Sequence, residues 1–114
     1  MNSCGELAEQ LAAVYLQKQG LKLLSQNYRC RYGEIDLILK DAQTLVFAEV
    51  RLRKSSSFGG AAASITPHKQ SKLVRTAQHY LSMQPNPPAC RFDVVLLDAL
   101  ADNHIEWIQN AFGE

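Results

Sequence analysis

Three acidic side chains, Glu34, Asp36 and Glu49, interrupt two largely apolar segments near the middle of the sequence. The segments, residues 33–40 and 45–53, alternate between two faces as β-strands do, and the short stretch between them is typical of a hairpin turn. Carboxylate oxygens are the ligands that Mg²⁺ and Mn²⁺ prefer. The residue types therefore indicate metal-assisted hydrolysis of phosphodiesters, in which the cation polarises the phosphate and activates water.

The strand pairing brings two of these acids face to face. If residues 42–43 form a two-residue turn, the register places Asp36 opposite Glu49 and Glu34 opposite Arg51. Two carboxylates directly across a ladder repel, and one would hold a proton at neutral pH unless a cation lies between them. We therefore predict that Asp36 and Glu49 bind a divalent cation, Mg²⁺ or Mn²⁺.

The same acids have a simpler explanation as partners of nearby arginines. Antiparallel sheets often leave one face in water, where acids and bases form ordinary ion pairs. The candidate partners are Arg29, Arg31, Arg51 and Arg53. The residues alone leave both explanations open.

The first helix is predicted to begin at a capping box of Ser3 and Glu6 and to end at Gly20. Its apolar residues recur at three- and four-residue spacing, which marks a buried stripe. The stripe consists of Leu7, Leu11, Val14, Tyr15 and Leu16.

The second helix begins at Thr66, an N-cap residue, with Pro67 in its first turn, and runs to about residue 83. Its two sides differ in character. The apolar side holds Leu73, Val74, Ala77, Tyr80 and Leu81, and the opposite side holds His68, Lys72, Arg75 and His79.

Further strands are predicted within residues 21–32, at residues 91–97, where Asp93 interrupts an apolar run, and at residues 105–108, on the sheet edge. The order is α-β-β-β-α-β-β. This order indicates an α/β fold with a mixed central sheet flanked by helices. A chain of 114 residues is long enough for one domain, residues 1–114, with its own core.

The net charge of +1 conceals a segregated arrangement of charges. Residues 18–32 and 51–75 carry basic side chains and no acid, whereas residues 92–114 carry acids and no Lys or Arg. One basic side suits a phosphate backbone, although charge runs also form ordinary solvated surfaces. The predicted nucleic-acid contacts are Arg29, Arg31, Arg53, Lys54, Lys69, Lys72 and Arg75.

Few aromatic side chains are placed to stack on a base. The candidates are Tyr28, Tyr32 and Phe58, of which Tyr28 is better suited to core packing. The Ser- and Gly-rich residues 54–65 are expected to form a mobile loop that admits or clamps a strand.

Several classes of protein are excluded by the composition. No apolar run approaches the roughly 18 residues of a membrane span, and the N-terminus lacks the features of a signal peptide. Cys4, Cys30 and Cys90 form neither a disulfide framework nor a zinc pattern. We expect a cytoplasmic protein with reduced thiols and no membrane partner.

Three motifs in this sequence resemble a known family. The segments GEIDLI (residues 33–38), VFAEVRLR (46–53) and RFDVV (91–95) are similar to those of the uncharacterised bacterial YraN-like family. The segment GELAE (5–9), and Phe58-Gly59 with Lys69, fit the same pattern. The family resembles a compact restriction-endonuclease-like fold with the D…(D/E)-x-K nuclease motif, and is similar to Holliday-junction resolvases.

This resemblance implies roles for individual residues. Asp36 corresponds to the motif aspartate and Glu49 to the motif acidic residue, both as catalytic metal ligands. Glu9 corresponds to an acid supplied by the first helix of the resolvases, although a helical Glu is usually solvated. Glu34 would assist them. Because the resolvases are dimeric, the resemblance also implies a homodimer.

The motif lysine is replaced by Arg51. Arginine keeps its proton in proteins, so it cannot act as a general base as a lysine of lowered pKa can. It can hold the scissile phosphate and stabilise developing negative charge. Lys54 or Lys69 would supply the missing amine.

Three functions fit these observations. The first is a Mg²⁺- or Mn²⁺-dependent endonuclease acting on DNA, including branched or flapped DNA, with Asp36, Glu49, Arg51, Glu9 and Glu34 as its catalytic residues. The second is a nucleic-acid-binding module that does not cut, because Arg51 replaces the motif lysine. The third is a scaffold that uses the fold for protein contacts alone.

Overall fold

The computed structural model describes residues 4–53, 65–98 and 104–113. Ser3, Lys54, Phe58 and the predicted loop up to residue 64 fall outside these ranges. The elements follow in the order predicted. They are α1 (Cys4–Lys18), β1 (Lys22–Cys30), β2 (Gly33–Asp41), β3 (Thr44–Arg53), α2 (Pro67–Leu81), β4 (Cys90–Asp98) and β5 (His104–Phe112).

The five strands form one sheet in the order β1-β2-β3-β4-β5. β3 and β4 are parallel, as a crossover containing α2 requires, and the other three neighbouring pairs are antiparallel. The sheet is therefore mixed. β5 lies at the edge, as predicted, but extends to Phe112, four residues beyond the predicted end.

The two helices cover opposite faces of the sheet. α1 packs its alanines and Leu16 against one set of strand residues, including Leu37, Leu39 and Val46. α2 packs Leu73 and Ala77 against the other set, which is centred on Phe47 and Phe92. This is the α/β architecture, a mixed sheet between helices, that the order of elements and the resemblance predicted.

α1 ends at the predicted glycine. Gly20 has a φ of 101°, a left-handed conformation that glycine adopts without steric cost. The Leu21 amide donates to the Leu16 carbonyl (3.1 Å) and the Gly20 amide donates to the Gln17 carbonyl (3.0 Å), which together form a Schellman motif. Leu16 and Leu21 are both buried, so the motif turns the chain directly into β1.

The buried face of α1 differs from the predicted stripe. Ala8, Ala12 and Ala13 are buried with Leu16, whereas Val14 is 50% exposed and Leu7 39% exposed. Small side chains let the helix backbone approach the sheet closely, so the alanines pack with Leu16, while Leu11 and Tyr15 pack beside them, and only Leu7 and Val14 lie at the margin. Because the prediction counted only large apolar residues, it placed the buried face at a different angle around the helix axis from the observed one.

α2 follows the prediction closely. The Thr66 hydroxyl accepts a hydrogen bond from the Lys69 amide (3.2 Å), and Pro67 occupies the first turn. The helix ends at Leu81, about two residues earlier than predicted, with Ser82 as its cap. Its predicted polar side faces outward, since His68, Lys72 and Arg75 are exposed.

The β2–β3 hairpin has the predicted register. Its pairs run from Asp41↔Thr44 to Leu37↔Ala48. Ala42 holds the turn with a φ of 54°. The register places the candidate acids at the end of the hairpin farthest from the turn.

None of the helices in the described ranges is long and apolar enough to cross a membrane.

Candidate functional site

The candidate acids lie where β2 and β3 cease to pair with each other. The β2–β3 ladder reaches Leu37↔Ala48, after which β2 continues beside β1 and β3 continues beside β4. The next residue of β2, Asp36, turns a side-chain oxygen toward β3: its Oδ2 accepts a hydrogen bond from the Val50 amide (2.9 Å). A carboxylate thus replaces a backbone acceptor at this position.

Three carboxyl groups meet at Asp36. Its side chain lies close enough to Glu9, which α1 supplies, and to Glu49 of β3 to raise the pKa of both. The structure therefore brings together the two acids of the predicted hairpin pair and the helix acid that the resemblance implied. Carboxyl groups that lie this close disfavour the charged form of one another, and their titrations are linked.

The pKa values reflect this crowding. Burial and the neighbouring charge of Asp36 raise the pKa of Glu49 from 4.5 to about 8, against smaller opposing contributions from Arg51 and Lys69. Burial and Asp36 also raise the pKa of Glu9 from 4.5 to about 7, although a hydrogen bond from Asn27 acts in the opposite direction. The folded chain therefore holds acidic groups together here, although burial and mutual repulsion disfavour their charged forms.

Arg51 lies beside this cluster with its hydrogen-bonding capacity largely unused. Its Nη2 is 3.2 Å from Glu49 Oε2, and the two side chains are 27% and 14% exposed. Within the described part of the chain, its Nε and Nη2 are buried without a geometrically sound hydrogen bond, so the contact with Glu49 is electrostatic. Unpaired guanidinium donors beside carboxylates are suited to an incoming oxyanion.

The predicted facing pair of Glu34 and Arg51 is wrong. Glu34 pairs with Arg29 across the β1–β2 ladder, and Arg29 Nε donates to Glu34 Oε2 (3.0 Å). The β2–β3 pairing ends before it reaches Glu34, so extending the turn register that far was not justified. Because Arg29 is 76% exposed, this ion pair contributes little to stability.

Asn27 is a site residue that sequence reasoning missed. With its amide oriented as the surrounding acceptors require, the nitrogen donates to Glu9 Oε1 (3.0 Å) and to Glu34 Oε2 (3.1 Å). Its φ of 54° is left-handed, a conformation that Asn tolerates better than most residues. The available signal was an Asn inside a strand segment, where that residue type is depleted.

Glu9, Asn27 and Glu34 face an open cavity of about 350 Å³ on the α1 side of the sheet. Gly5, Glu6 and Arg29 complete its lining. Glu49, by contrast, is influenced by Lys69 of α2 on the other face. Asp36 therefore connects acids that reach it from both faces of the sheet.

The predicted basic contacts are distributed around this point. Lys69, one of the two candidate amines that the sequence suggested, is close enough for its charge to lower the pKa of Glu49. Lys54 and the side chain of Arg53 lie outside the described part of the chain. The others, Arg29, Arg31, Lys72 and Arg75, are exposed.

Carboxylates are the appropriate donors for a hard divalent cation, and the cluster holds them close enough to share protons. Residues 4–53, 65–98 and 104–113 contain no group of three or more His, Cys, Asp and Glu side chains arranged to enclose a metal ion. Mg²⁺ commonly binds through one or two carboxylates and keeps water and phosphate oxygens as its other ligands. The donor set of Asp36 and Glu49 therefore suits Mg²⁺ or Mn²⁺.

Fold and site together define an α/β protein in which a mixed sheet brings three carboxylates together between two helices. Residues 8–97 match the family described as Uncharacterised protein family UPF0102. A UPF0102 protein of Nitrosomonas europaea is 59% identical over 110 residues, which cover 96% of this chain and 93% of that protein. One from Psychromonas ingrahamii is 56% identical over 113 residues, which cover 99% and 92%.

The chain belongs to the UPF0102 family, which is the YraN-like family that its motifs resembled. The matched region contains every described acid of the candidate site, from Glu9 to Glu49.

Proposed function

We propose that this protein is a Mg²⁺- or Mn²⁺-dependent endonuclease that hydrolyses DNA phosphodiesters, with branched or flapped DNA as its substrate class. One observation carries the proposal: Glu9 and Glu49 converge on Asp36, and burial together with Asp36 raises the pKa values of Glu9 and Glu49 to about 7 and 8. Such an arrangement is unfavourable without a compensating cation.

Asp36 and Glu49 would hold the cation, with Glu9 and Glu34 supporting them. When bound, a divalent cation polarises the scissile phosphate and lowers the pKa of water, which are the two requirements of phosphodiester hydrolysis. The Val50 amide fixes one oxygen of Asp36, so this carboxylate stays oriented toward its neighbours. Asn27 orients Glu9 and Glu34 through a single amide.

Arg51 takes the position of the motif lysine and binds the scissile phosphate. Its Nε and Nη2 have no hydrogen-bond partner among the described residues, and a guanidinium offers a planar fork that matches phosphate oxygens. Lys69 adds a second positive charge near Glu49. The exposed Arg29, Lys72 and Arg75 contact the DNA backbone farther from the cleavage point.

Cleavage of junction, flap and single-stranded DNA in Mg²⁺ and in Mn²⁺ tests this function. Asp36→Asn preserves the size and the acceptor oxygen for Val50 while it removes a charge, and we expect at least about a hundredfold loss of cleavage, the scale reported for removal of one electrostatic catalytic group. Glu106→Gln, which changes an exposed acid on β5, serves as the matched control and should retain full activity. Absence of cleavage on every substrate with both metals contradicts the proposal.

A second function is favoured by Arg51 itself. The Arg51 guanidinium lies 3.2 Å from Glu49, so its positive charge partly replaces a bound cation. A protein stabilised in this way binds nucleic acid without cutting it. The Arg51→Lys variant separates the two functions. A gain of cleavage in Arg51→Lys over an inactive wild type supports the binding module, whereas metal-dependent cleavage by the wild type supports the endonuclease.

A further inference from the structure

A second cleft lies between the tip of the β1–β2 hairpin and the last turns of α2. It has a volume of about 450 Å³ and is separate from the carboxylate cluster. Its lining residues are Tyr32, Arg75, Gln78, His79 and Ser82. None of these five described residues is acidic, and two are aromatic or heteroaromatic.

Contacts behind the cleft fix its walls. His79 Nδ1 shares a 2.5 Å hydrogen bond with the hydroxyl of Tyr28, which sets the orientation of the imidazole ring. Tyr28 in turn packs edge-on against Tyr80, with ring centroids 5.2 Å apart. Tyr28 is thus a packing residue, as the sequence favoured, and His79 is held from behind.

The hairpin tip also approaches α2 closely. A side chain at Gly33 would meet Thr76 Oγ1 at 3.2 Å, and the φ of 151° at Gly33 again favours glycine. This approach brings the adjacent Tyr32 to His79, where the two rings lie 6.3 Å apart and 63° from parallel. Two rings at an angle therefore form one corner of an open cleft.

Positive charge accompanies these rings. The Arg31 guanidinium lies 5.0 Å from the centre of the Tyr32 ring, and its Nη2 donates to the Tyr32 hydroxyl (2.9 Å). Arg75 is exposed and lines the opposite part of the cleft. Aromatic faces beside arginines are the combination that binds an unpaired base together with its phosphate.

We infer that this cleft binds an unpaired nucleotide, with the base against Tyr32 and His79 and the phosphate at Arg75. A base within a duplex is stacked on both faces and cannot present a face to these rings without leaving the stack. The site therefore selects nucleic acid with a single-stranded segment.

The cleft lies within reach of the carboxylate cluster. Gly33 and Asp36 are separated along β2 by about 10 Å, at roughly 3.3 Å per strand residue. Along α2, Lys69 beside Glu49 and His79 in the cleft are about 15 Å apart, at roughly 1.5 Å per helical residue. These two distances, about 10 Å and about 15 Å, correspond to about three or four nucleotide steps of roughly 3.4 Å. The placement of the unpaired nucleotide beside a cleavage point rests on the proposed function.

Binding of fluorescently labelled oligothymidine in EDTA at low salt tests the cleft without any cleavage. We expect Tyr32→Ala to weaken binding about tenfold, the scale of one lost base stack, and Tyr32→Phe to bind within about twofold of the wild type. An abasic strand of equal length should bind the wild type and Tyr32→Ala equally. The inference is overturned if Tyr32→Ala leaves thymidine binding unchanged, or weakens abasic binding as much.

Three further variants keep the test decisive. Tyr32→Leu retains apolar bulk without a ring and should behave as Tyr32→Ala does, which keeps the test available should the smaller side chain unfold the hairpin. Arg75→Ala should weaken binding of thymidine and abasic strands alike, whereas Lys22→Ala, an exposed basic residue at the start of β1, should not. Equal losses in Arg75→Ala and Lys22→Ala reject a phosphate position at Arg75.

This test separates the cleft from the proposed function. A wild type that binds thymidine through Tyr32 but cuts no DNA supports the cleft and contradicts the endonuclease. A wild type that cuts flapped DNA equally well with and without Tyr32, and binds thymidine without it, supports the endonuclease and overturns the cleft.

Discussion

The fold surrounds two strand carboxylates, Asp93 on β4 and Asp36 on β2, with opposite kinds of neighbour. Asp93 is fully buried and surrounded by donors. Asp36 lies at the end of the β2–β3 ladder and is surrounded by other carboxyl groups. Both interrupt apolar strand segments in the sequence, so the difference between them arises from their neighbours in three dimensions.

The Asp93 carboxylate accepts from three groups. Arg91 Nε donates at 3.0 Å, Trp107 Nε1 at 2.9 Å and the Asn110 amide at 2.9 Å. Burial by itself would lower the pKa of Arg91, but its hydrogen bonds and charge interactions with Asp93 and Asp41 raise it above the ordinary value. The negative charge at Asp93 is compensated inside the protein.

The difference between Asp93 and Asp36 separates a carboxylate with a structural role from one in the candidate functional site. At Asp93 every nearby donor belongs to the chain, and the group joins β4 to the edge strand β5. At Asp36 the chain supplies one amide donor and two further acids, and the positive charges of Arg51 and Lys69 near Glu49 compensate them only in part, since the pKa of Glu49 remains raised. Unbalanced charge, rather than burial, marks the candidate site.

The largest effect on stability is expected from Asp93→Ala. This change leaves the half-buried Arg91 with Asp41 as its remaining acidic partner and removes the acceptor of Trp107 and Asn110. Breaking a buried ion pair by removing one partner costs about 3–5 kcal/mol. Urea denaturation measures the loss, and a change below about 1 kcal/mol would contradict the structural role.

The second prediction concerns pH. The raised pKa values of Glu9 and Glu49 mean that the folded chain holds protons that the unfolded chain releases near pH 4.5. Stability should therefore fall as pH rises from about 4.5 to about 8, since the folded state binds more protons there.

Glu49→Gln removes the more strongly shifted of these groups and should flatten this fall by at least about 1 kcal/mol, the energy of roughly one pKa unit. The measurement is urea denaturation of wild type and variant at pH 5 and pH 8 without divalent metal. If the free energy of unfolding depends on pH in the same way in both proteins, the neighbours of Glu49 do not raise its pKa, and the prediction is contradicted.

The third prediction is that Asp36→Asn does not destabilise the protein at pH 8. The variant retains an oxygen for the Val50 amide and relieves repulsion with Glu9 and Glu49, so we expect a change between zero and a gain of about 1 kcal/mol. This is the opposite of the result for Asp93→Ala, and thermal unfolding of both variants measures it. A loss of several kcal/mol would place Asp36 with Asp93 as a structural residue.

The smallest effect is expected at Asn27. Asn27→Gly relieves the left-handed backbone and removes the amide that bridges Glu9 and Glu34, so stability should change by less than about 0.5 kcal/mol. Because the Asn27 hydrogen bond lowers the pKa of Glu9, this pKa should rise further in the variant. NMR titration of the Glu9 carboxyl carbon measures the shift, and a fall in this pKa would contradict the bridge.

Most of the fold was predictable from local signals. Gly20, Thr66 and Pro67 set the helix ends, and the short turn after Asp41 set the hairpin register up to Leu37. The face of α1 was not predictable from large apolar residues, because alanines make the contact with the sheet.

The site was predictable in part. The hairpin register is observed as far as Leu37↔Ala48, so Asp36 and Glu49 lie close together at its end but are not themselves a ladder pair. The resemblance supplied Glu9. The partner of Glu34 was wrong, since strand divergence depends on contacts with β1 and β4 that no local pattern encodes. The donors of Asp93 come from both β4 and β5, so its structural role also required three dimensions.

The most direct test of the central claim is titration with Mn²⁺ at pH 8, observed by paramagnetic broadening of backbone amide resonances. We expect broadening centred on Glu9, Asp36, Glu49 and Val50 in the wild type, none of it in Asp36→Asn, and none around Asp93 in either protein. Broadening that is absent, or that persists unchanged in Asp36→Asn, would contradict the assignment of the carboxylate cluster as a divalent cation site.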